Sequence, residues 1–478
     1  MSVDYPAPQL LIGGRLRAGA DGRRLPVLDP ATGRTIAELP VAARADLDEA
    51  LERAQRGFAQ WRAVAPFERG KVLKKAAELI RERQESIARI ATLEQGKSIH
   101  ETRIETLMSA NVLEWYGEEG RRAYGRIIPS RAPGTRLQVR KEPVGPVAAF
   151  APWNFPLGNP ARKLGAPIAA GCSVILKPAE EAPASALAIA QALLDAGLPG
   201  DVLAVVFGVP AEISQYLIAS PVIRKVSFTG STVVGKQLMK LAAEGCKRTT
   251  MELGGHAPVL VFEDADLESV LDLAVAAKYR NAGQVCVSPT RFLVHESLHT
   301  RFVAGFRARV ERLKVGNGLD ASVNMGPLAH ERRIEAMQTL FDDVARCGVQ
   351  PVAGGARLER EGFFWQPGIL VDVPLAARCM NLEPFGPVAL INRFSSYEEA
   401  IAEANRLPYA LAAFAFSRDA KRVTRLGEDI EAGMVGINTF QISVPESPFG
   451  GIKESGHGSE EGVEGLEACL VTKFVSEG

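Results

Sequence analysis

The sequence predicts an α/β protein built on two parallel sheets, each covered by helices. Three observations carry this expectation. From 146 to 261, short apolar runs alternate with helical stretches, and a second alternating block runs from about 264 to 440. Such alternation is the pattern of βαβ units feeding a parallel sheet. Ahead of both blocks, residues 44–120 are rich in Ala, Arg, Glu and Leu, with apolar residues at helical spacing. At 478 residues the chain is also too long for one ordinary core, so two or three domains are expected.

Taken in order, ADLDEALERAQRGFAQW and ERGKVLKKAAELIRERQESIARIATLEQ read as amphipathic helices. Between 121 and 145 the prolines and alternation of RRAYGRIIPSRAPGTRLQVRKEP predict extended hairpin arms. The first alternating block then follows. GPVAAFAP is succeeded by a helix near 157–171, CSVILKP by a helix at 184–197, then VLAVVFG, KVSFTG with a helix from 231, RTTMEL and APVLVFE. The second block has a helix through 266–282, TRFLVHE, a helix from 298, PVALINRF and GMVGIN. The boundary between the blocks falls near Gly254-Gly255, and no short-period repeat is present.

Composition narrows the function. Lys plus Arg number 56 and Asp plus Glu 56, so there is no basic surplus for nucleic acid or a membrane surface. No segment approaches the roughly 18 uninterrupted apolar residues of a membrane span. The N-terminus MSVDYPAPQLLIGG has no basic region followed by an apolar one, so it does not read as a secretory signal. The six cysteines (172, 246, 286, 347, 379, 469) are dispersed without a CxxC pair. This predicts no zinc ribbon, no disulfide scaffold, and a reducing compartment, the cytoplasm. Most of these cysteines are expected to be buried small hydrophobes.

Four stretches can carry chemistry, each with a plainer alternative. SFTGSTVVGK (227–236) is either an ordinary strand-to-helix turn or a helix start whose amides hold a pyrophosphate. AAFAPWNFPL (148–157) places Trp153 and Asn154 just beyond a buried strand, where ligands collect in parallel sheets. Asn154 is either a turn residue or an oxyanion donor. Glu252 ends an apolar strand before a Gly-Gly pair; it is either solvated or salt-bridged, or half-buried with a raised pKa that suits a general base. Cys286, in RNAGQVCVSPTR, falls in a loop between a helix end and Pro289; it is either a structural thiol or a nucleophile needing an adjacent base.

Seven motifs together are more specific: PWNFPL, LKPAE (176–180), FTGSTVVGK, ELGGHAP, GQVCVSPTR, EPFGPV (383–388) and PFGGIKESGHG (448–458). In order and spacing they resemble the aldehyde dehydrogenase superfamily, from about Leu10 to Val475. The resemblance implies a Rossmann-type NAD-binding domain (1–120 and 145–253), a catalytic α/β domain (254–455), and a β-hairpin oligomerisation arm and tail (121–144 and 456–478). It implies a homodimer or homotetramer and NAD as cofactor, with NADP possible. By the same resemblance Cys286 is the nucleophile, Asn154 the oxyanion donor and Glu252 the base that hydrolyses a thioester. Trp153, Lys177, Glu180, Gly230, Ser231, Gly235, Glu383 and Phe385 match cofactor-binding positions.

Arg162, in NPARKLG, and Arg280, six residues before Cys286, resemble the carboxylate-binding positions of succinate-semialdehyde dehydrogenases. Two guanidiniums can clamp one carboxylate; each can equally be a structural ion pair. The implied substrate is succinate semialdehyde, with longer ω-carboxy semialdehydes (glutarate or 2-oxoglutarate semialdehyde) and uncharged aldehydes as alternatives. Ser288 stands where some relatives carry a second cysteine, which argues against a redox switch there. TFQISVPES (439–447) also departs from the pattern, leaving the substrate's length open.

Overall fold

The computed structural model describes residues 5–478. Five parallel strands form the centre of an eight-stranded sheet. Leu203–Val205, Val174–Pro178, Val147–Ala151, Lys225–Thr229 and Arg248–Glu252 lie side by side in that order. Counted along the chain this is third, second, first, fourth, fifth, so the order reverses between Val147–Ala151 and Lys225–Thr229. VAAFA and VILKP are buried at every position, as strands covered on both faces must be. Antiparallel strands finish the flanks: Leu10–Ile12, itself paired with Arg15–Arg17, beside Leu203–Val205, and Gly456–His457 beside Arg248–Glu252.

The helix Ile99–Glu119 packs between Pro66–Glu82 and Gly158–Ala170. It starts at a capping box in which the Ser98 N–H donates to Glu101 Oε2 (3.0 Å) and the Glu101 N–H to Ser98 Oγ (3.4 Å). The fixed start matters because this helix forms one wall of the cavity described below.

The second sheet has six strands, all parallel: Gly368–Val371, Val388–Phe394, Pro289–His295, Ala257–Val261, Ala412–Phe416 and Met434–Ile437. Leu267–Tyr279 and Glu296–Val310 bury their apolar faces against it, with Phe292, Phe302 and Phe306 in its core. The helix expected through 266–282 therefore ends three residues early, for a reason given by the site. A three-stranded antiparallel sheet stands apart, made of Arg126–Ile128, Arg136–Pro143 and the C-terminal Leu470–Glu477. Fewer cysteines are buried than the sequence led one to expect. Cys172, Cys379 and Cys469 are, whereas Cys246 and Cys347 are exposed.

Candidate active site

Ligands in open parallel sheets bind beyond the carboxyl ends of the strands, where strand order reverses. At that point Val147–Ala151 runs out into Pro152, Trp153 and Asn154, and Lys225–Thr229 into Gly230 and Ser231. The neighbouring strand ends on Glu252 itself. Cys286 arrives from the six-stranded side. After Tyr279 the chain places Asn281, Ala282 and Gly283 at φ of 49°, 51° and 70°, which stops the helix and turns it toward the crevice. Hydrogen bonds hold this costly turn. The Asn281 N–H donates to Glu101 Oε1 (2.6 Å), its Nδ2 donates to the carbonyls of Asn154 (2.9 Å) and Gln284 (3.1 Å), and its Oδ1 accepts from Gln95 Nε2 (2.9 Å). Gly255 lets the loop close: a Cβ there would lie 2.5 Å from the Cys286 carbonyl oxygen.

Asn154, Glu252 and Cys286 line one cavity of about 220 Å³, together with Arg162 and Arg280. Its wall is mostly apolar, with Met108 and Val112 from the long helix and Phe155, Val285 and Phe449 opposite. Asn154 is fixed twice over. Its Nδ2 donates to the Gln284 carbonyl (3.1 Å), and its own carbonyl accepts from Lys97 Nζ (2.7 Å). A second N–H of that amide is left for a ligand.

The surroundings of Cys286 and Glu252 oppose ionisation of both groups. Burial pushes the Cys286 thiol up to about 12; Arg162 opposes this, while Glu383 and Glu252 add to it. Glu252 is only 2% exposed, and neither carboxylate oxygen has a hydrogen-bond partner among the described residues. Burial first, then the neighbouring Glu460, raise its pKa well above the carboxylate range, against the pull of Lys163 and Arg162. Such a carboxyl is a proton holder that becomes a base only when its surroundings change.

The two arginines are unequal. Arg162 Nε donates to Glu461 Oε1 (2.9 Å) and its Nη2 to Ser443 Oγ (2.8 Å), with the guanidinium 4.3 Å over the Phe449 ring. Arg280 is exposed, lies 5.6 Å over the Phe155 ring, and makes no ion pair among the described residues. The expected two-armed clamp is thus one free cation and one that already has an anionic partner.

The model of the aldehyde dehydrogenase family matches residues 17–475. This chain belongs to that family. As an aldehyde dehydrogenase it is an oxidoreductase of the aldehyde group. It is 50% identical over 474 residues to a 4-(hydroxymethyl)benzenesulfonate dehydrogenase of Comamonas testosteroni, covering 99% of each chain. It is 42% identical to the NADP(+) succinate-semialdehyde dehydrogenase of Escherichia coli, covering 98% of each. The solved betaine aldehyde dehydrogenase of Staphylococcus aureus, in complex with NAD+, superposes with a TM-score of 0.96 at 31% identity, over 99% of this chain and 95% of the other.

The cofactor of this aldehyde dehydrogenase is NAD(P), and the crevice fits a dinucleotide. Ser231 caps the helix Thr232–Glu244 by accepting from the Val234 N–H (3.4 Å), leaving a helix start open beside Glu252. Gly235 allows that helix to press on the sheet, since a Cβ would lie 2.2 Å from Leu253 Cδ2. Gly230 has no room for a side chain either, with Phe228 only 2.4 Å from such a Cβ. Lys177 Nζ pairs with Glu180 Oε1. Glu383 Oε1 accepts from the Gly255 N–H (3.1 Å), and burial raises its carboxyl to about 7. Trp153 meets Phe385 edge-on, with ring centroids 5.6 Å apart.

Sequence reasoning missed the polar frame behind these residues. Lys97, Glu105, Asn281 and Gln284 are buried and bonded to one another or to Asn154. It also missed Glu460 and Glu461, which line the cavity of this aldehyde dehydrogenase, and the Lys163 that pairs with Glu460 (2.5 Å). The only local signal was a Glu-Glu-Gly run, which reads as surface.

Proposed function

We propose that this aldehyde dehydrogenase oxidises an aldehyde bearing an acid anion at its far end to the corresponding carboxylic acid, with NAD preferred. The observation that carries the reading is the single cavity holding Cys286, Asn154 and Glu252, with the unpaired Arg280 also on its wall. Cys286 gives its thiol proton to Glu252, once that carboxyl is ionised, and the sulfur adds to the aldehyde carbon, giving a thiohemiacetal. The proton then passes to solvent and leaves Glu252 free for the later step. The oxyanion is held by the free N–H of Asn154 Nδ2 and the backbone N–H of Cys286. When bound, NAD(P) supplies the hydride acceptor. Cys286 then holds the acyl group as a thioester. Glu252, once ionised, takes a proton from water, whose oxygen attacks the acyl carbon and returns the thiol.

Two substrates frame the class. Succinate semialdehyde, the expectation from the sequence, has a short flexible spacer; the benzenesulfonate compound that names the relatives at 50% identity has a rigid aromatic one. Oxidation of succinate semialdehyde, 4-carboxybenzaldehyde and 4-sulfobenzaldehyde is to be compared with that of butanal and benzaldehyde by NADH absorbance. Arg280→Leu should lower kcat/KM for the two aromatic acidic aldehydes by roughly 10- to 100-fold relative to benzaldehyde, the loss of one charge-assisted bond. Equal loss on both kinds would end the reading of Arg280 as the anion site.

The same reading includes a homodimer or homotetramer in the cytoplasm. Its support is the three-stranded sheet, where Ile127 and Phe474 are 78% and 58% exposed, and the six free cysteines, which suit a reducing compartment.

A further inference from the structure

We propose that Glu461 sets the reach of the cavity: by occupying Arg162, it leaves only Arg280 to hold the substrate's anion and so selects aldehydes with a long spacer. The inference rests on the acidic-aldehyde reading above and deepens it.

Glu461 sits where a glutamate is costly. Its backbone is at φ 56° and ψ −177°, close to a region that only glycine enters freely, and Gly462 follows at φ 55°. The surroundings hold it there. Its carbonyl accepts from the Gly465 N–H (2.8 Å), the Gly462 N–H donates to the Pro445 carbonyl (2.9 Å), and the residue is 1% exposed. Its Oε1 takes the Arg162 Nε, while its Oε2 is buried with no partner among the described residues. A strained, buried carboxylate with one unfilled oxygen on the cavity wall does more than fill space.

Its effect is on charge. Cys286 packs against the cluster that contains Phe449, and Arg162 lies 4.3 Å over that ring. Arg280 is exposed and lies over Phe155 instead. Arg162 is therefore the cation on the Cys286 side of the cavity and Arg280 the one toward its exposed rim. With Glu461 present, the near cation is matched by a full negative charge. A short ω-carboxy aldehyde attached at Cys286 would bring its carboxylate to this neutral pair and meet Glu461 as a like charge. An aldehyde with its acid group across an aromatic ring passes the pair, lies along Phe155 and Phe449, and reaches Arg280. The mostly apolar wall accepts such a ring.

The test is Glu461→Gln, with Glu461→Gly as a second variant that also relieves the backbone. Either should raise the kcat/KM ratio of succinate semialdehyde to butanal by about tenfold or more, the worth of one charge-assisted bond. The ratio of 4-carboxybenzaldehyde to benzaldehyde should not rise. Adding Arg162→Gln to Glu461→Gln should abolish the gain. A succinate semialdehyde ratio unchanged in either soluble variant overturns the proposal, leaving Arg162 and Glu461 a structural pair. A second readout needs no substrate: alkylation of Cys286 by iodoacetamide at fixed pH, the thiol lying in the field of Arg162, Glu383 and Glu252. Freed from Glu461, Arg162 should speed it several-fold. If the parent protein shows no preference for acidic aldehydes, the functional reading fails. The charge effect of Glu461 is then judged by alkylation alone, with an unchanged rate counting against it.

Discussion

The side-chain amide of Asn154 donates to the backbone carbonyl of Gln284, two residues before Cys286, at 3.1 Å. This bond ties the Asn154 amide, the oxyanion donor we propose, to the chain just ahead of the thiol, across the boundary between the two sheets. Asn154→Ala removes both this tie and the free N–H. We expect kcat to fall by about 10²–10³ with little change in the far-ultraviolet circular dichroism. A loss below tenfold would mean the backbone N–H of Cys286 suffices.

Glu252→Gln should separate acylation from hydrolysis. The buried, unpartnered carboxyl becomes an amide of the same shape that cannot take a proton from water. Stopped-flow absorbance should show a burst of NADH close to one per site, followed by a steady state slower by about 10²-fold or more. If burst and steady state fall together, the role of Glu252 at the thiol outweighs its role in hydrolysis.

Glu383 gives a pH dependence. Burial raises its carboxyl to about 7, so in the free protein it is increasingly neutral below that pH. We propose that Glu383 holds ribose hydroxyls, which it does better when ionised, so that bound NAD lowers this pKa. Affinity should therefore drop by up to about tenfold for each pH unit below 7 and level off above it. Calorimetric titration from pH 5.5 to 8.5 checks this, and Glu383→Gln should flatten the curve. The same raised pKa means that the folded state binds the extra proton. Its contribution to stability is full below the ordinary carboxylate pKa and is lost as pH rises through about 7.

We propose that the choice between NAD and NADP turns on Lys177 and Glu180, which form an ion pair. On this proposal Glu180 accepts from the ribose hydroxyls and the pairing withholds Lys177 from a 2′-phosphate. Glu180→Gln should raise the NADP to NAD ratio of kcat/KM by about tenfold. A ratio that stays put would place the carboxylate away from the ribose.

The parallel blocks were legible because strands such as VAAFA and APVLV are buried on both faces and so written in apolar runs. The strands Leu10–Ile12 and Arg15–Arg17 were not, since three residues hold no periodicity. Cys286 stood out because loop chemistry surrounds it. Arg162 was visible as a cation, but its pairing is settled by Glu461, 299 residues away, which no local pattern reveals. Lys97 and Glu105 read as the polar face of helices and are in truth a buried ion pair, 1% and 5% exposed. Burial of charge is a tertiary fact.

The eight-stranded sheet takes Leu10–Ile12 on one side and Gly456–His457 on the other, so its hydrogen-bonded rows join segments far apart in the sequence. During synthesis, the strand that carries Glu252 must wait with a bare edge while some two hundred further residues are added. Glu460 and Glu461 follow directly behind the segment that covers it. A nascent chain stopped short of Gly456 therefore carries the Cys286 thiol beside a bare sheet edge and an unfinished cavity wall.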